Sequence, residues 1–214
     1  MEISILLADD HKIVRNGLKS LIEKNKTLKV VGEVSNGREA IKFCEKFKPK
    51  VVIMDVAMDG LNGIEATKQI IHTDSTIKVI ALSMHSEKQF VLGMLKAGAY
   101  GYLLKDSSSE ELITAILAVA RNEKYISQKI PNVLKDNIGA MDSNDNPDQL
   151  STREREVLQL IAEGNSSKEI GELLFLSSKT VDVHRTNIMH KLNLFTLQDL
   201  TKYAVKNGIS SLDH

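Results

Sequence analysis

Residues 51–63 read VVIMDVAMDGLNG. Four apolar residues in a row, Val51-Val52-Ile53-Met54, end on an acid, Asp55, and the following GIEATKQIIH returns apolar side chains at helical spacing. A strand apolar on both faces belongs in a parallel sheet covered by helices on each side, because a sheet with one wet face would alternate apolar and polar residues. The same passage from strand to helix recurs around it. EISILLA leads into HKIVRNGLKSLIEKN, where Ile13, Val14, Leu18, Leu21 and Ile22 repeat at helical spacing; LKVVGEV leads into GREAIKFCEKF, IKVIALS into KQFVLGMLKAG, and YGYLLK into EELITAILAVAR. Five such units joined by right-handed crossovers predict an α/β domain over residues 1–121, a doubly wound five-stranded parallel sheet. Ligands of such sheets bind at the carboxyl ends of the strands.

The chain has 214 residues, enough for two domains, since single cores usually run to roughly 100–150. With 42% hydrophobic and 26% charged residues it has the composition of a soluble globular protein. No apolar run approaches the roughly 18–20 residues of a membrane-spanning helix, and MEISILLADD lacks a basic start and meets two acids too early for a signal peptide. The cytoplasm is the expected compartment, with no membrane partner. The single cysteine, Cys44, sits in the helical stretch REAIKFCEKF and reads as a small buried hydrophobe. Basic and acidic residues balance, 28 against 28, so a case for nucleic-acid binding must come from local pattern.

Three acids fall at strand ends: Asp9 and Asp10 after the first strand and Asp55 at the end of the third. The first and third strands of a doubly wound sheet are neighbours, so these carboxylates converge on one crevice. Clustered carboxylates repel one another and call for a hard cation, and an all-oxygen, incompletely filled shell suits magnesium or manganese. A carboxylate can also attack phosphorus once a cation neutralises the phosphoryl oxygens. The fourth strand ends on Ser83 and the fifth on Leu104-Lys105, placing a hydroxyl and an ammonium at the same rim. Lys105 can pair with Asp55 and then with a phosphoryl group. Ser83 can donate to a phosphoryl oxygen, and its movement would carry the following loop with it. Taken singly, acids in such loops are usually caps or solvated residues; the five together point to chemistry. Tyr102, just before Lys105, reads by itself as a core aromatic.

The stretches LLADDH, VVIMDVAMDGLNGIEA, VIALSMH and GAYGYLLKD resemble a response-regulator receiver domain, of flavodoxin-like fold, and the resemblance covers essentially all of residues 1–121. It implies that Asp55 is the phosphoacceptor and that Asp9, Asp10, Asp55 and the backbone carbonyl of Ala57 hold Mg2+ (or Mn2+). It also implies that Ser83, Tyr102 and Lys105 are the switch hydroxyl, the switch aromatic and the phosphate-binding lysine. Such a protein is not an enzyme acting on other molecules, although it takes part in its own phosphoryl transfer and dephosphorylation at Asp55. One departure stands out: the family usually carries proline four residues after the phosphoacceptor, where this chain has Asp59. That loop is freer and carries an added negative charge.

Residues 122–149 read as a linker. NIGAMDSNDNPDQ, residues 137–149, is polar and acidic, and YISQKIPNVLKDN before it suits a short helix with Pro131 near its first turn. From 150 to 214 the pattern is helical. Ser151 with Glu154 makes a capping box, Asn165 or Ser166 caps the next helix, and Ser177 or Ser178 the one after; Gly164 ends the first. Short helices at about Ser167–Leu174 and Ser178–Leu192, joined by Phe175-Leu176-Ser177, have the spacing of a helix-turn-helix, with the motif running from Ser166 to Arg185. Ile170, Leu173, Leu174, Val181, Ile188 and Leu192 form its expected core. Lys179, Thr180, Asp182, Val183, Arg185, Thr186, Asn187 and Lys191 form its outward face, mostly residue types that reach phosphates and base edges. A small helical bundle that binds only protein would show a similar face.

TREREVLQLIAEGNSSKEIGELLFLSSKTVDVHRTNIMHKL is similar to a LuxR-type DNA-binding domain, from about Leu150 to Asn207. Joined to a receiver it implies a two-component regulator of the NarL/FixJ class. A sensor histidine kinase would phosphorylate Asp55 with magnesium, and the altered receiver would control dimerisation and binding of double-stranded promoter DNA to regulate transcription. A single reader of zero net charge holds a half-site weakly, so a homodimer on DNA is expected. TLQDLTKYAVKNG, with Leu197, Leu200, Tyr203 and Ala204 along one side, suits either a dimer surface or core packing. Asp182 departs from the basic or neutral residue many relatives carry, and would either face phosphates, which repel it, or accept from a cytosine amino group. Of the rival readings, a haloacid-dehalogenase phosphatase needs a second acid two residues after the nucleophile, where this chain has Ala57. The intact acid and lysine set argues against a phosphorylation-independent interaction module, and the helix-turn-helix against an RNA-binding antiterminator.

Overall fold

In the computed structural model, which describes residues 2–130 and 150–210, strand β3 (Val51–Asp55) is buried at every position. Its side chains alternate between two apolar layers, Val52 and Met54 into one and Val51 and Ile53 into the other. Strand β1 (Ile3–Ala8) divides in the same way, Leu6 and Ala8 against Ile5 and Leu7. The two pair in parallel, with Ala8 opposite Met54. Strands β2 (Leu28–Val34), β4 (Lys78–Ser83) and β5 (Gly101–Leu104) extend the sheet to either side, all in parallel. Helices α1 (Lys12–Ile22) and α5 (Ser109–Ala120) supply Ile22, Leu112, Ala115, Ile116 and Val119 to one layer. Helices α2 (Gly37–Phe47), α3 (Gly63–Thr73) and α4 (Lys88–Lys96) supply Ala40, Cys44, Ala66, Ile70, Phe90 and Met94 to the other. Cys44 is thus a core residue, and burial pushes its thiol up to about 12.

The sheet has six strands, not the five expected. A two-residue strand, β6 (Tyr125–Ile126), pairs in parallel with β5, and the order is β2-β1-β3-β4-β5-β6. After α5 the chain reverses at Asn122, which takes a left-handed conformation (φ 66°), and runs back along the β5 edge. Two residues carry no periodicity, and this strand is held by main-chain hydrogen bonds that any sequence can make, so the pattern of side chains could not announce it. Packing continues to Ile130, which is 1% exposed, past the boundary expected at Arg121. The helix expected in YISQKIPNVLKDN begins in strand at Tyr125; its part from Pro131 onward, like the acidic stretch 137–149, lies outside the described residues.

Local sequence sets the helix ends that surround the functional rim. Asn36 and Asn62 cap α2 and α3 by accepting the Glu39 and Glu65 N–H groups. At Gly63 a Cβ would overlap the Asp55 carbonyl oxygen, so glycine lets α3 start directly against the end of β3.

The chain divides into two compact units, Met1–Ala140 and Met141–His214. The second contains α6 (Thr152–Ala162), α7 (Ser167–Leu174), α8 (Ser178–Leu192) and α9 (Leu197–Lys206). Capping boxes start α6 at Ser151 with Glu154 and α7 at Ser166 with Glu169, and Ser177 caps α8. Gly164 (φ 87°) follows the end of α6. The turn between α7 and α8 closes through the Leu176 N–H to the Gly171 carbonyl (2.8 Å), and a Cβ at residue 171 would stand 2.7 Å from the Leu176 carbonyl oxygen. Val157, Leu158, Leu160, Ile170, Leu174, Val181, Ile188, Leu200 and Ala204 make the core. Leu173 is not among them and is 52% exposed. The close approach at Gly171 centres the buried stripe of α7 on Ile170, Gly171 and Leu174 and turns Leu173 outward. Leu200 and Ala204 are fully buried, so core packing explains that side of α9, while Leu197 stays exposed. No helix among the described residues is long and apolar enough to cross a membrane.

Candidate phosphoryl-accepting site and nucleic-acid interface

The adjacency of β1 and β3 brings Asp9 and Asp55 together, and β4 and β5 deliver Ser83 and Lys105 to the same end of the sheet. Lys105 Nζ lies 2.6 Å from Asp55 Oδ2 and 2.8 Å from Asp9 Oδ2. The remaining oxygens have main-chain partners: Asp55 Oδ1 accepts the Ala57 N–H (3.3 Å) and Asp9 Oδ1 the His11 N–H (2.8 Å). Asp55 is 3% exposed, and burial raises its carboxyl to about 6, with Asp9 and Asp10 adding to the rise and Lys105 opposing it. For the Lys105 ammonium, burial works against the charge, but Asp55 and Asp9 outweigh it and hold its pKa above the usual lysine value. One ammonium therefore serves two carboxylates, with the Asp10 charge close by. Asp9, Asp10, His11 and Asp55 each present a ligand atom, all within 4.8 Å of one another. A divalent cation fits that spacing and would supply the missing positive charge.

Ser83 and Tyr102 are fully buried. The Ser83 hydroxyl oxygen accepts the His85 N–H (3.0 Å), and the Tyr102 hydroxyl donates to the His85 carbonyl (2.8 Å). Both therefore converge on the main chain of one residue in the loop after β4. Burial raises the Tyr102 phenol, while the Ser83 hydroxyl beside it works the other way. Asp59 is exposed on the loop after β3 and is not among the gathered ligand atoms. Two neighbours went unread in the sequence. His11 Nδ1 lies 2.5 Å from Asp10 Oδ1, and Arg15 donates to the Asp9 carbonyl (2.6 Å). Nothing in a sequence marks a side chain that reaches a main-chain carbonyl. His11 stood directly after the two acids, and that adjacency was the available signal.

In the second unit Lys179, Val183, Thr186 and Asn187 are exposed along one side of α8. Asp182 has partners within the unit. Its Oδ1 accepts the Ser167 hydroxyl (2.7 Å) and pairs with Arg185 (3.1 Å), tying α8 to the start of α7. Arg185 is half-buried in that bridge, and Thr180 is drawn into the cap of α8, its hydroxyl 2.8 Å from that of Ser177. Lys191 Nζ pairs with Glu154 (2.7 Å) while its side chain stays exposed. Of the expected outward set, then, Lys191 and Asp182 also make ion pairs within the unit.

Residues 5–117 match the response regulator receiver domain family, and residues 148–204 match the luxR family of bacterial regulatory proteins. The chain belongs to the response-regulator family. The regulator is 39% identical over 208 residues to the transcriptional regulatory protein LiaR of Bacillus subtilis, covering 97% of this chain and 99% of that one. Among solved structures it is similar to a LuxR-family two-component response regulator from Aurantimonas sp. SI85-9A1 (TM-score 0.61, 34% identity, 64% of this chain and 98% of that one). It is also similar to the response regulator RcsB in its complex with DNA (TM-score 0.60, 26% identity, 97% and 99%). The regulator therefore joins a receiver domain to an all-helical LuxR-type output domain.

Proposed function

We propose that a sensor histidine kinase phosphorylates this regulator on Asp55 and that phosphorylation controls binding of α8 to promoter DNA. The observation that carries the reading is a nearly buried carboxylate 2.6 Å from an ammonium that already serves Asp9 as well. In the transfer an Asp55 carboxylate oxygen attacks the phosphorus of a phosphohistidine; a P–O bond forms, the P–N bond breaks, and the imidazole nitrogen leaves with the bonding pair and takes up a proton. Lys105 stays on the phosphoryl oxygens, and Ser83 donates to one of them after giving up its bond to the His85 N–H. Asp9, Asp10, Asp55 and the Ala57 carbonyl would hold Mg2+, which supplies charge neutralisation at the phosphoryl group. Tyr102 follows the loop after β4 through its bond to the His85 carbonyl and serves as the switch aromatic.

On the output side Lys179, Val183 and Thr186 present an ammonium, an apolar contact and a hydroxyl to the major groove, and Arg185 gives a second cation once freed from Asp182. Lys191 contributes structurally through Glu154. A neutral, four-helix reader gains its affinity by pairing, so the DNA-bound form is a homodimer on two half-sites.

The test compares the wild type with Asp55→Ala in the presence of a small phosphodonor and magnesium, by intact mass, sedimentation and binding to genomic DNA fragments. The wild type should gain one phosphoryl group, dimerise and bind DNA more tightly, and the variant should do none of these. Equal phosphate incorporation in the variant would refute the assignment of Asp55.

A further inference from the structure

Residues 125–130, beyond the reversal after α5, wrap the edge of the sheet beside the switch. The Tyr125 N–H donates to the Tyr100 carbonyl (3.0 Å) and the Ser127 N–H to the Tyr102 carbonyl (2.9 Å). Tyr125 packs into the layer of α1 and α5, whereas Ile126 and Ile130 pack into the opposite layer with Phe90, Met94 and Tyr102. The segment thus crosses from one face of the sheet to the other over the β5 edge, burying Ser127 completely and Ile130 to 1% exposure. Its far end is clamped. Lys129 Nζ donates to the Asp106 carbonyl (3.0 Å) and pairs with the Asp106 carboxylate (2.8 Å). Asp106 is the residue after Lys105, in a turn closed by the Ser107 N–H to the Leu104 carbonyl (2.9 Å).

We propose that residues 125–130 are a strap that releases from β5 when Asp55 is phosphorylated, and so carry the state of the site into the chain leading to the output domain. The inference rests on the phosphoacceptor reading of Asp55 and adds the element that reports it. A phosphoryl group on Asp55 needs room where Lys105 Nζ now sits 2.6 Å from the carboxylate. Lys105 gives way, and Asp106 moves with it because the two share one tight turn. That displacement removes both acceptors of Lys129. An ion pair this exposed is weak, and a two-residue strand contributes few ladder bonds, which suits an element that must let go. The strap also leans on Tyr102 through its main chain and through Ile130, so movement of the switch aromatic reaches it by a second route.

The experiment follows hydrogen exchange at the Tyr125 and Ser127 amides in the full chain, with and without acetyl phosphate and magnesium, alongside intact mass. Phosphorylated protein should exchange these amides several-fold faster while amides of β3 hold their rates. Lys129→Met, at the surface and outside the site, should raise exchange at both positions without a phosphodonor and shrink the further rise on phosphorylation. A phosphoryl group gained with unchanged or slower exchange over 125–130 overturns the strap and leaves Asp55 its role, as does Lys129→Met protein that exchanges like wild type. Protein that gains no phosphoryl group overturns the phosphoacceptor reading, and the strap falls with it.

Discussion

Two buried acids, one in each unit, face a lysine at nearly the same distance and respond in opposite ways. Asp55 lies 2.6 Å from Lys105 and Glu154 lies 2.7 Å from Lys191, and both carboxylates are almost wholly enclosed. Asp55 is raised to about 6, burial outweighing the ammonium, with Asp9 and Asp10 adding their charge. Glu154 is held below the usual carboxylate range: burial pushes it upward, but its bond to Lys191 and those from Ser151 outweigh it. The difference lies in the company. Glu154 has a lysine to itself and accepts the Ser151 N–H in a capping box, so its charge is fully answered. Asp55 shares one ammonium with Asp9 and feels the Asp10 charge as well. A pair distance alone therefore says little about what a buried acid is for. The count of charges around it separates an acid that fastens two helices from one left short of positive charge.

Removing each acid should break the comparison most visibly. Glu154→Ala leaves the Ser151 N–H and the Lys191 ammonium without their partner and opens the junction of α6 and α8. It should cost the output unit about 0.5–2 kcal/mol, the usual range for losing a helix cap, since Lys191 is partly solvated and recovers water. Asp55→Asn removes one of three crowded charges and keeps an acceptor for the Ala57 N–H, so the receiver should lose nothing or gain up to about 1 kcal/mol. Urea unfolding of the full chain, followed by amide exchange in α6 and in β3, reads the two effects separately. A receiver destabilised by Asp55→Asn as much as the output unit is by Glu154→Ala would dissolve the distinction.

The two acids should also give the units opposite slopes with pH. Glu154 has a lowered folded-state pKa, so the unfolded chain binds the proton more readily. Its contribution is complete above the unfolded value of roughly 4.3 and is lost as pH falls through the lower folded value. Asp55 rises from 3.8 to about 6, so between these values the folded receiver holds the proton that the unfolded chain has released. The receiver's stability from this group therefore falls as pH climbs through that window. Amide exchange in metal-free buffer should show β3 growing less protected as pH climbs from 4 to 6, while α6 holds level there and loses protection only as pH falls below roughly 4.3. In Asp55→Asn protein the receiver's slope should flatten while that of the output unit remains.

Much of this was legible in the sequence, and the parts that were not share a cause. The four central strands are apolar on both faces, which left one sheet type open to them, and strand ends fixed where Asp9, Asp55, Ser83 and Lys105 would meet. Helix caps are local, so Ser151 with Glu154 showed as a capping box from a spacing of three residues. Lys191 meets that same Glu154 from 37 residues away, and Asp182 meets Ser167 across the helix-turn-helix. Neither partnership has a periodic signature, so both residues read as outward-facing and their partners within the unit went unread. The strand at Tyr125–Ile126 escaped for the related reason that main-chain hydrogen bonds hold it, and these are blind to side-chain type. Arg15, which donates to a main-chain carbonyl, was hidden in the same way.

The smallest expected effect tests whether charge alone distinguishes the receiver rim. Asp59 is exposed on the loop after β3, so it adds a carboxylate to a rim already short of positive charge, but from a solvated position where salt screens it. Asp59→Asn removes the charge and keeps the loop's freedom, and should weaken magnesium binding by about two- to three-fold, more at low ionic strength than at 0.15 M. Asp59→Pro removes the same charge and also stiffens the loop that presents the Ala57 carbonyl, since proline fixes φ. If loop order matters as well as charge, its affinity should differ from that of the asparagine variant and the phosphoryl group on Asp55 should change its lifetime. Magnesium titrations and dephosphorylation rates of the three proteins decide the point. Superimposable curves and equal lifetimes would show that Asp59 is a solvated surface acid and that the rim's charge is settled by Asp9, Asp10, Asp55 and Lys105 alone.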